Sequence, residues 1–203
     1  MEKKTNTLLF YLAIISLYIL VSILFILTAI RDSYDFFVRI FALLGFTSLF
    51  IASMMSPFMV QIYKYFGKKF INIHHFFSII GLILITIHPV AFALSKMDIT
   101  VFVPVFYPFY DFWLLAGRPA LILIYIAVVA GTLRNKIPIY WKHIHVLNYV
   151  ALFFGLIHGI LIGTDFKNPA ILILFSIMTI CVFCGLIYKR YTIFKRNKKK
   201  RIN

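Results

Sequence analysis

Charge is what this sequence has least of, and acid above all. Only 13% of its 203 residues are charged and six are Asp or Glu, where a soluble globular chain carries about 25% charged residues. With 63% hydrophobic residues and a mean hydropathy of +0.96, the composition excludes a cytosolic enzyme, a nucleic-acid module and a disordered chain. Two cysteines provide no disulfide framework. No G-x-G-x-x-G or other nucleotide signature occurs, so a nicotinamide or flavin domain is not expected within these residues. There is no internal repeat, low-complexity linker or domain boundary. The net charge of +15, from 21 Lys and Arg, elsewhere suggests nucleic acid, but its placement points to a membrane.

Apolar runs fall at about Leu8–Ile30, Phe36–Tyr63, Ile71–Leu94, Trp113–Leu133, Trp141–Gly163 and Pro169–Tyr188. Each is near or above the roughly 20 residues that cross a hydrocarbon core, and each is expected to be helical because lipid offers no partner for open backbone groups. The expectation is an all-α polytopic membrane protein of six transmembrane helices, one domain over 1–203, ending in a basic tail at 189–203. The first run exceeds the apolar stretch of a signal peptide and no A-x-A site follows it, so it is expected to be retained. Lys3, Lys4, Lys64, Lys68, Lys69, Arg134, Lys136, Lys142 and the eight Lys and Arg from Lys189 to Arg201 fall on one side of a six-span arrangement. Arg31, Lys96, Lys167 and Asp32, Asp35, Asp98, Asp111 and Asp165 fall on the other. The positive-inside rule then puts both termini in the cytoplasm, with the cell membrane as the expected location. The tail reads as a topology signal that also binds anionic lipid, not nucleic acid. The aromatic segment Met97–Phe112 suits the outer membrane–water interface.

All six histidines lie on the third and fifth runs: His74, His75 and His88 on one, His143, His145 and His158 on the other. Ionisable side chains inside a bilayer are expensive and usually face a bundle interior or a cofactor. The two runs point the same way. His88 follows His74 by fourteen residues and His158 follows His145 by thirteen, rises of about 21 and 20 Å. An inner pair and an outer pair therefore sit at matching depths, as bis-imidazole ligation of two irons in a helix bundle requires. Ideal helical arithmetic adds a complication. Fourteen residues return to within about 40° of the starting face, but thirteen leave His158 about 140° from His145, whereas His143 to His158 differs by about 60°. Periodicity alone favours His143, unless the fifth helix is locally irregular. Gly81 and Ala151 lie midway between the histidines of each run, and Gly155, Gly159 and Gly163 form a stripe around His158. Close helix packing and a flat surface for a porphyrin both fit these small residues.

The segment I-H-H-F-F-S-I-I-G-L-I-L-I-T-I-H-P (Ile73–Pro89) resembles the third helix of the ferric reductase-like transmembrane domain. W-K-H-I-H-V-L-N-Y-V-A-L-F-F-G-L-I-H-G (Trp141–Gly159) resembles its fifth, and G-R-P-A-L (Gly117–Leu121) extends the likeness. That family includes ferric reductases, NADPH oxidases and the haem subunit of the periplasmic methionine sulfoxide reductase system. The resemblance implies a cytochrome b-type bundle holding two haem b per chain. His74 and His145 would hold the inner haem and His88 and His158 the outer one, which selects His145 over His143. The methionine sulfoxide reductase subunit usually lacks the inner His of the third helix, so His74 tilts away from that branch. The resemblance further implies an oxidoreductase subunit carrying electrons from a separate flavoprotein or NAD(P)H-dependent reductase to an extracytoplasmic acceptor.

Arg39 and Arg118, near the outer ends of the second and fourth runs, are candidates for pairing with outer-haem propionates, with interface snorkelling as the simpler role. By resemblance, Arg39 is placed like an oxidase arginine near the outer haem. Lys142 and Arg134 are weaker candidates for the same service at the inner face. His75 and His143 read as polar residues at the cytoplasmic helix ends, Tyr149 as packing, and the C-x-x-C of Cys181 and Cys184 as buried free thiols in mid-bilayer. Two rival functions remain: a proton or transition-metal transporter built on histidine, and a non-catalytic haem-binding partner subunit. The transporter predicts intramembrane carboxylates, and no Asp or Glu falls within the six runs.

Overall fold

The structure, a computed structural model, describes residues 2–66 and 70–202; Lys68 and Lys69, counted among the inner charges, lie outside the described residues. The described residues form helices and no strand. Helix α1 is Glu2–Ile26, α2 Ser33–Met55, α3 Met59–Phe66, α4 Phe70–Lys96, α5 Phe109–Leu114, α6 Gly117–Thr132, α7 Trp141–His145, α8 Leu147–Ile162 and α9 Pro169–Ile202. Single 3-10 turns at Ile99–Phe102 and Thr164–Lys167 complete the connections. Five helical stretches are long and apolar enough to cross a membrane: Thr5–Ile26, Ser33–Met55, Ile71–Lys96, Trp141–Ile162 and Pro169–Lys198. They mark an integral membrane protein.

Three expected runs are broken, each for a local reason. The second stops at Met55 because Ser56 N–H turns back to Ser53 O and Pro57 has no N–H to offer; the chain restarts as α3. The fourth, expected as one helix over Trp113–Leu133, divides into α5 and the 16-residue α6. Arg118 N–H bonds Leu115 O there, and Pro119 brings no amide to the ladder. At about 24 Å, α6 is shorter than a full span. The fifth is interrupted at Val146, where Tyr149 N–H reaches Val146 O in a tightened turn. The last run does the opposite: α9 carries the basic tail on as helix to Ile202. At the other end of the chain's second helix, the Asp32 side chain accepts from Asp35 N–H and caps α2. Because α2 begins at Ser33, it takes Asp35 into a candidate span, against the expectation that none holds a carboxylate.

Helix α2 is the axis of the bundle. It contributes Leu49 to the first of three buried clusters, Leu43 to the second, and Ile51, Ala52 and Met55 to the third. The first joins it to Ala120 and Ile124 of α6, Leu152 of α8 and Val182 of α9. The second joins it to Val21 and Phe25 of α1, Leu156 of α8 and Phe175 of α9. Around this axis the helices pair: α4 packs chiefly on α2, and α8 chiefly on α6. The outward faces carry exposed Leu, Ile, Val and Phe, as lipid contact requires.

Glycines set the α2–α4 distance. A Cβ at Gly81 would stand 2.8 Å from Leu49 Cγ, and one at Gly45 would stand 2.9 Å from the Ile85 backbone nitrogen. Gly155 faces Phe46, and Gly159 and Gly163 face Phe166. Gly45 and Gly81 thus serve close helix packing. Since the Gly45 contact is with backbone, Gly45→Ala is expected to force α2 and α4 apart at a cost of about 1–3 kcal/mol. Thermal unfolding in detergent measures this; an unchanged midpoint would show that the helices do not approach so closely.

Candidate functional site

Four of the six histidines are anchored in the same way. Each bonds through Nδ1 to a backbone carbonyl of the helix beside it: His74 to Ala52 O at 3.0 Å, His88 to Val38 O at 2.7 Å, His145 to Ala127 O at 2.8 Å and His158 to Leu114 O at 2.8 Å. A carbonyl only accepts, so Nδ1 carries the proton, and the neutral ring presents its Nε2 lone pair. This is the tautomer of a histidine that ligates metal through Nε2.

The register of these bonds is regular. Fourteen residues separate His74 from His88, and fourteen separate Ala52 from Val38. Thirteen separate His145 from His158, and thirteen separate Ala127 from Leu114. Two antiparallel helix pairs, α2 with α4 and the α5–α6 segment with α7–α8, therefore each hold a matched pair of imidazoles. Two of the carbonyls are available because their helices break. Ser56 N–H turns to Ser53 O and leaves Ala52 O to His74, while Arg118 N–H turns to Leu115 O and leaves Leu114 O to His158. Val38 and Ala127 lie inside helices, where a carbonyl's second lone pair accepts the extra bond.

Two glycines admit the rings on the α6 side. A Cβ at Gly117 would lie 2.8 Å from His158 Cδ2, and one at Gly131 would lie 3.2 Å from His145 Nδ1. Neither these glycines nor the four carbonyls were singled out in the sequence for this role. Gly117 stood only within a resembling motif, and a backbone acceptor carries no side-chain signal at all.

The rings pair across the bundle. His74 and His145 stand 6.3 Å apart between centroids at one end; His158 lies within electrostatic reach of His88 at the other. A spacing of 6.3 Å is close to that of two imidazoles on opposite sides of one metal ion, with metal–nitrogen bonds of about 2.0–2.1 Å each. All four rings remain partly accessible although they point into the bundle. Among the described residues no group of three or more His, Cys, Asp or Glu is arranged to hold a metal ion. What the fold offers is two-histidine sites, and the donor set of two neutral imidazoles fits a haem iron whose other four ligands are its own porphyrin.

His75 and His143 are exposed and lack such an anchor. The fifth helix is thus locally irregular, and at its start the structure points His145, not His143, towards His74. Asn148 Nδ2 and the Trp141 ring flank His145 at 3.5 and 6.2 Å.

Arg39, expected beside a propionate, is otherwise engaged. Its Nε donates to Asp165 Oδ2, its Nη2 to Asp165 Oδ1 and Thr28 Oγ1, and its Nη1 to Asp35 Oδ2 and Ala29 O. All five N–H donors are committed, the guanidinium lies over the Phe25 ring, and the residue is 7% exposed. The cluster ties the end of α1, the start of α2 and the turn before α9 into one clasp and leaves no donor for a propionate. Arg118 differs. It is half-buried next to Gly117, donates to Val103 O at 2.7 Å, and retains further N–H groups near His158. Outside the spans, Thr100 N–H, with its hydroxyl, holds the Asp98 carboxyl below the usual carboxylate range.

At the other end, Lys142 lies over the Trp141 ring and Arg134 is exposed. Tyr149 is buried and bonds Ser56, so it packs as expected. Cys181 and Cys184 are free thiols, but Cys184 is exposed and Cys181 half-exposed. The expected burial is corrected: a position in mid-bilayer does not imply one inside the bundle, and these side chains lie on its outer face.

Two outcomes follow from this geometry. Asp165→Ala leaves two donors of a buried guanidinium unpaired, with Asp35 still its counter-ion, and is expected to cost about 1–3 kcal/mol, whereas replacing Arg39 and Asp165 together by Leu should cost less. Thermal denaturation in detergent compares them, and equal losses would contradict a buried pair. Gly117→Ala is expected to displace the His158 ring from Leu114 O. Imidazole 15N spectra should then lose one of four Nδ1–H signatures; retention of all four would show that the ring has room for a methyl group.

Comparison of the chain with protein-family models, with characterised proteins and with solved structures returns no match. The likeness to ferric reductase-like domains therefore rests on the quoted residues alone.

Proposed function

We propose that this chain is a six-span, di-haem b electron conduit of ferric reductase-like type, the haem subunit of an oxidoreductase. The observation that carries the reading is the set of four Nδ1-anchored histidines, paired at two depths of one bundle. His74 and His145 would hold one haem and His88 and His158 the other. Bound haem iron supplies one-electron chemistry at a potential set by its ligands and surroundings. The chain supplies the rest. Each carbonyl fixes the orientation and tautomer of its imidazole and raises its basicity. The lipid-covered helices around the pairs keep bulk water from them.

The sixth span is α6. Together with α5 before it, its carbonyl register with α7–α8 runs from Leu114 to Ala127 and matches both histidine depths, which supports a crossing despite the 16 residues of α6. Orientation follows from charge. The end bearing His74 and His145 carries Lys142, Lys189 and Arg190, and the opposite end carries Asp35 and Asp165. The positive-inside rule puts the first end, and both termini, in the cytoplasm of a cell-membrane protein. Electrons then enter at His74/His145 from a separate flavoprotein or NAD(P)H-dependent reductase and leave at His88/His158 to an extracytoplasmic acceptor. Arg118 is the cation available to outer propionates.

The test is a reduced-minus-oxidised spectrum of the purified full chain expressed with haem available. Expected are two low-spin, six-coordinate b haems per chain. His158→Ala or His88→Ala should remove one and leave the other. His145→Ala should remove the inner haem, and His143→Ala should leave both. A chain with no haem, or an inner haem that depends on His143 and survives His145→Ala, overturns the reading or its ligand set respectively.

A further inference from the structure

Beside the His74/His145 pair lies positive charge that no described acidic side chain answers. Lys189 stands on α9 where the helix leaves the apolar stretch, and it is half-buried. Its Nζ donates to Ser56 Oγ at 2.6 Å. That hydroxyl belongs to the break after α2 that also leaves Ala52 O to His74, and it bonds the Tyr149 hydroxyl of α8 as well. Lys189 is within electrostatic reach of His74, and Arg190 and Lys142 are within reach of Lys189. Three cations from two elements thus converge on the mouth of one imidazole pair.

Among the described side chains the acidic ones are elsewhere. Asp35 and Asp165 are bound to Arg39, Asp98 caps a turn near Arg118, and Asp32 and Asp111 start helices at that same far end. Among the described residues the only hydrogen-bond acceptor of Lys189 is a neutral hydroxyl. An ammonium half-removed from water, with two cations near it, is stabilised by a bound anion. Its position at a break in α2, tethered to Ser56, holds it in place more firmly than a free surface lysine.

We infer that Lys189, supported by Lys142 and Arg190, is an oxyanion-binding site at the His74/His145 end, with the propionate carboxylates of the inner haem as occupant. This rests on the electron-transfer reading. An anionic lipid phosphate offers the same oxyanion chemistry from a second source, and experiment separates the two. The site also acts on the reduction potential. A cation beside the haem favours the more negative, reduced form, so removing it lowers that haem's midpoint potential. The other haem, about 20 Å further along the helices, is largely unaffected.

The experiment is a redox titration of the full chain with haem bound, in wild type, Lys189→Gln and Lys189→Arg, together with native mass spectrometry of the co-purified phospholipid. Gln retains a donor for Ser56 but loses the charge. The expected result is a lowered midpoint for one haem in Lys189→Gln, an unchanged midpoint for the other, and recovery in Lys189→Arg. Loss of a bound anionic phospholipid with both midpoints unchanged keeps the oxyanion site but assigns it to lipid. Unchanged midpoints, haem content and lipid content overturn the inference. Should Lys189→Gln not fold, exposed Lys142→Gln serves instead, with a smaller shift in the same direction expected and no shift counting against the site. A wild-type chain without haem sinks the electron-transfer reading itself, and the lipid measurement alone then decides the site.

Discussion

A polar group inside a hydrocarbon layer has no water to turn to, so the protein must supply its partner. Most of this structure's features meet that constraint. Among the described residues no buried side-chain nitrogen or oxygen lacks a hydrogen bond. Thr47, Ser48, Thr86 and Thr179 return their hydroxyls to the carbonyl four residues back on their own helices. Arg39 satisfies five donors with two carboxylates, a hydroxyl and a carbonyl. The four histidines each satisfy Nδ1 with a neighbouring carbonyl, and His74 Nε2 lies 3.4 Å from the Ser78 hydroxyl as well. A histidine held by a side chain would need a second polar residue in lipid; one held by backbone needs only that a helix come close.

That closeness explains the small residues. An imidazole reaches a carbonyl across a helix–helix interface only if the backbones approach within the span of one side chain. Gly45 and Gly81 allow this between α2 and α4, and Gly117 and Gly131 allow it between α6 and the helix pair α7–α8. Small residues in membrane helices gain packing contacts by letting backbones approach, and here the same approach sets the tautomer of the site. Packing and chemistry are thus one constraint in this bundle. It also accounts for the helix breaks. Two of the four acceptors, Ala52 O and Leu114 O, are left over where a helix ends, the circumstance in which irregular backbone is tolerated at membrane depth, facing protein and not lipid.

The apolar runs and the paired histidines were legible in the sequence because they depend on composition and on spacing along one chain. The division of the fourth run was less so: Trp113–Leu133 is apolar throughout, and only Gly117 and Pro119 hinted at the stop. The packing partner of Gly81, Leu49, lies on another helix and leaves no local signal beside Gly81 in the sequence. Arg39 is a candidate for a propionate by its position near the end of the second run. Its main partner, Asp165, is 126 positions away. Cys184 looked buried because depth in the bilayer says nothing about which way a side chain faces. Each miss concerns a partner that only tertiary structure reveals.

The placement of His143 and His145 shows how a small irregularity orients a side chain. On an ideal helix thirteen residues leave His158 about 140° from His145. The chain departs from that ideal at Val146, where Tyr149 N–H bonds back three residues. A 3-10 turn advances about 120° per residue where an α-helix advances about 100°. Over three residues the gain is about 60°, which reduces the offset from about 140° to about 80°. The remainder is taken up by the side chains, since both rings lean to the same neighbour, the α5–α6 segment, to meet Ala127 O and Leu114 O. His143 starts closer to the His158 face by periodicity alone, but it lies before the break and remains exposed. What anchors His145 is Ala127 O at the right depth, with Gly131 beside the ring, neither of which helical arithmetic contains.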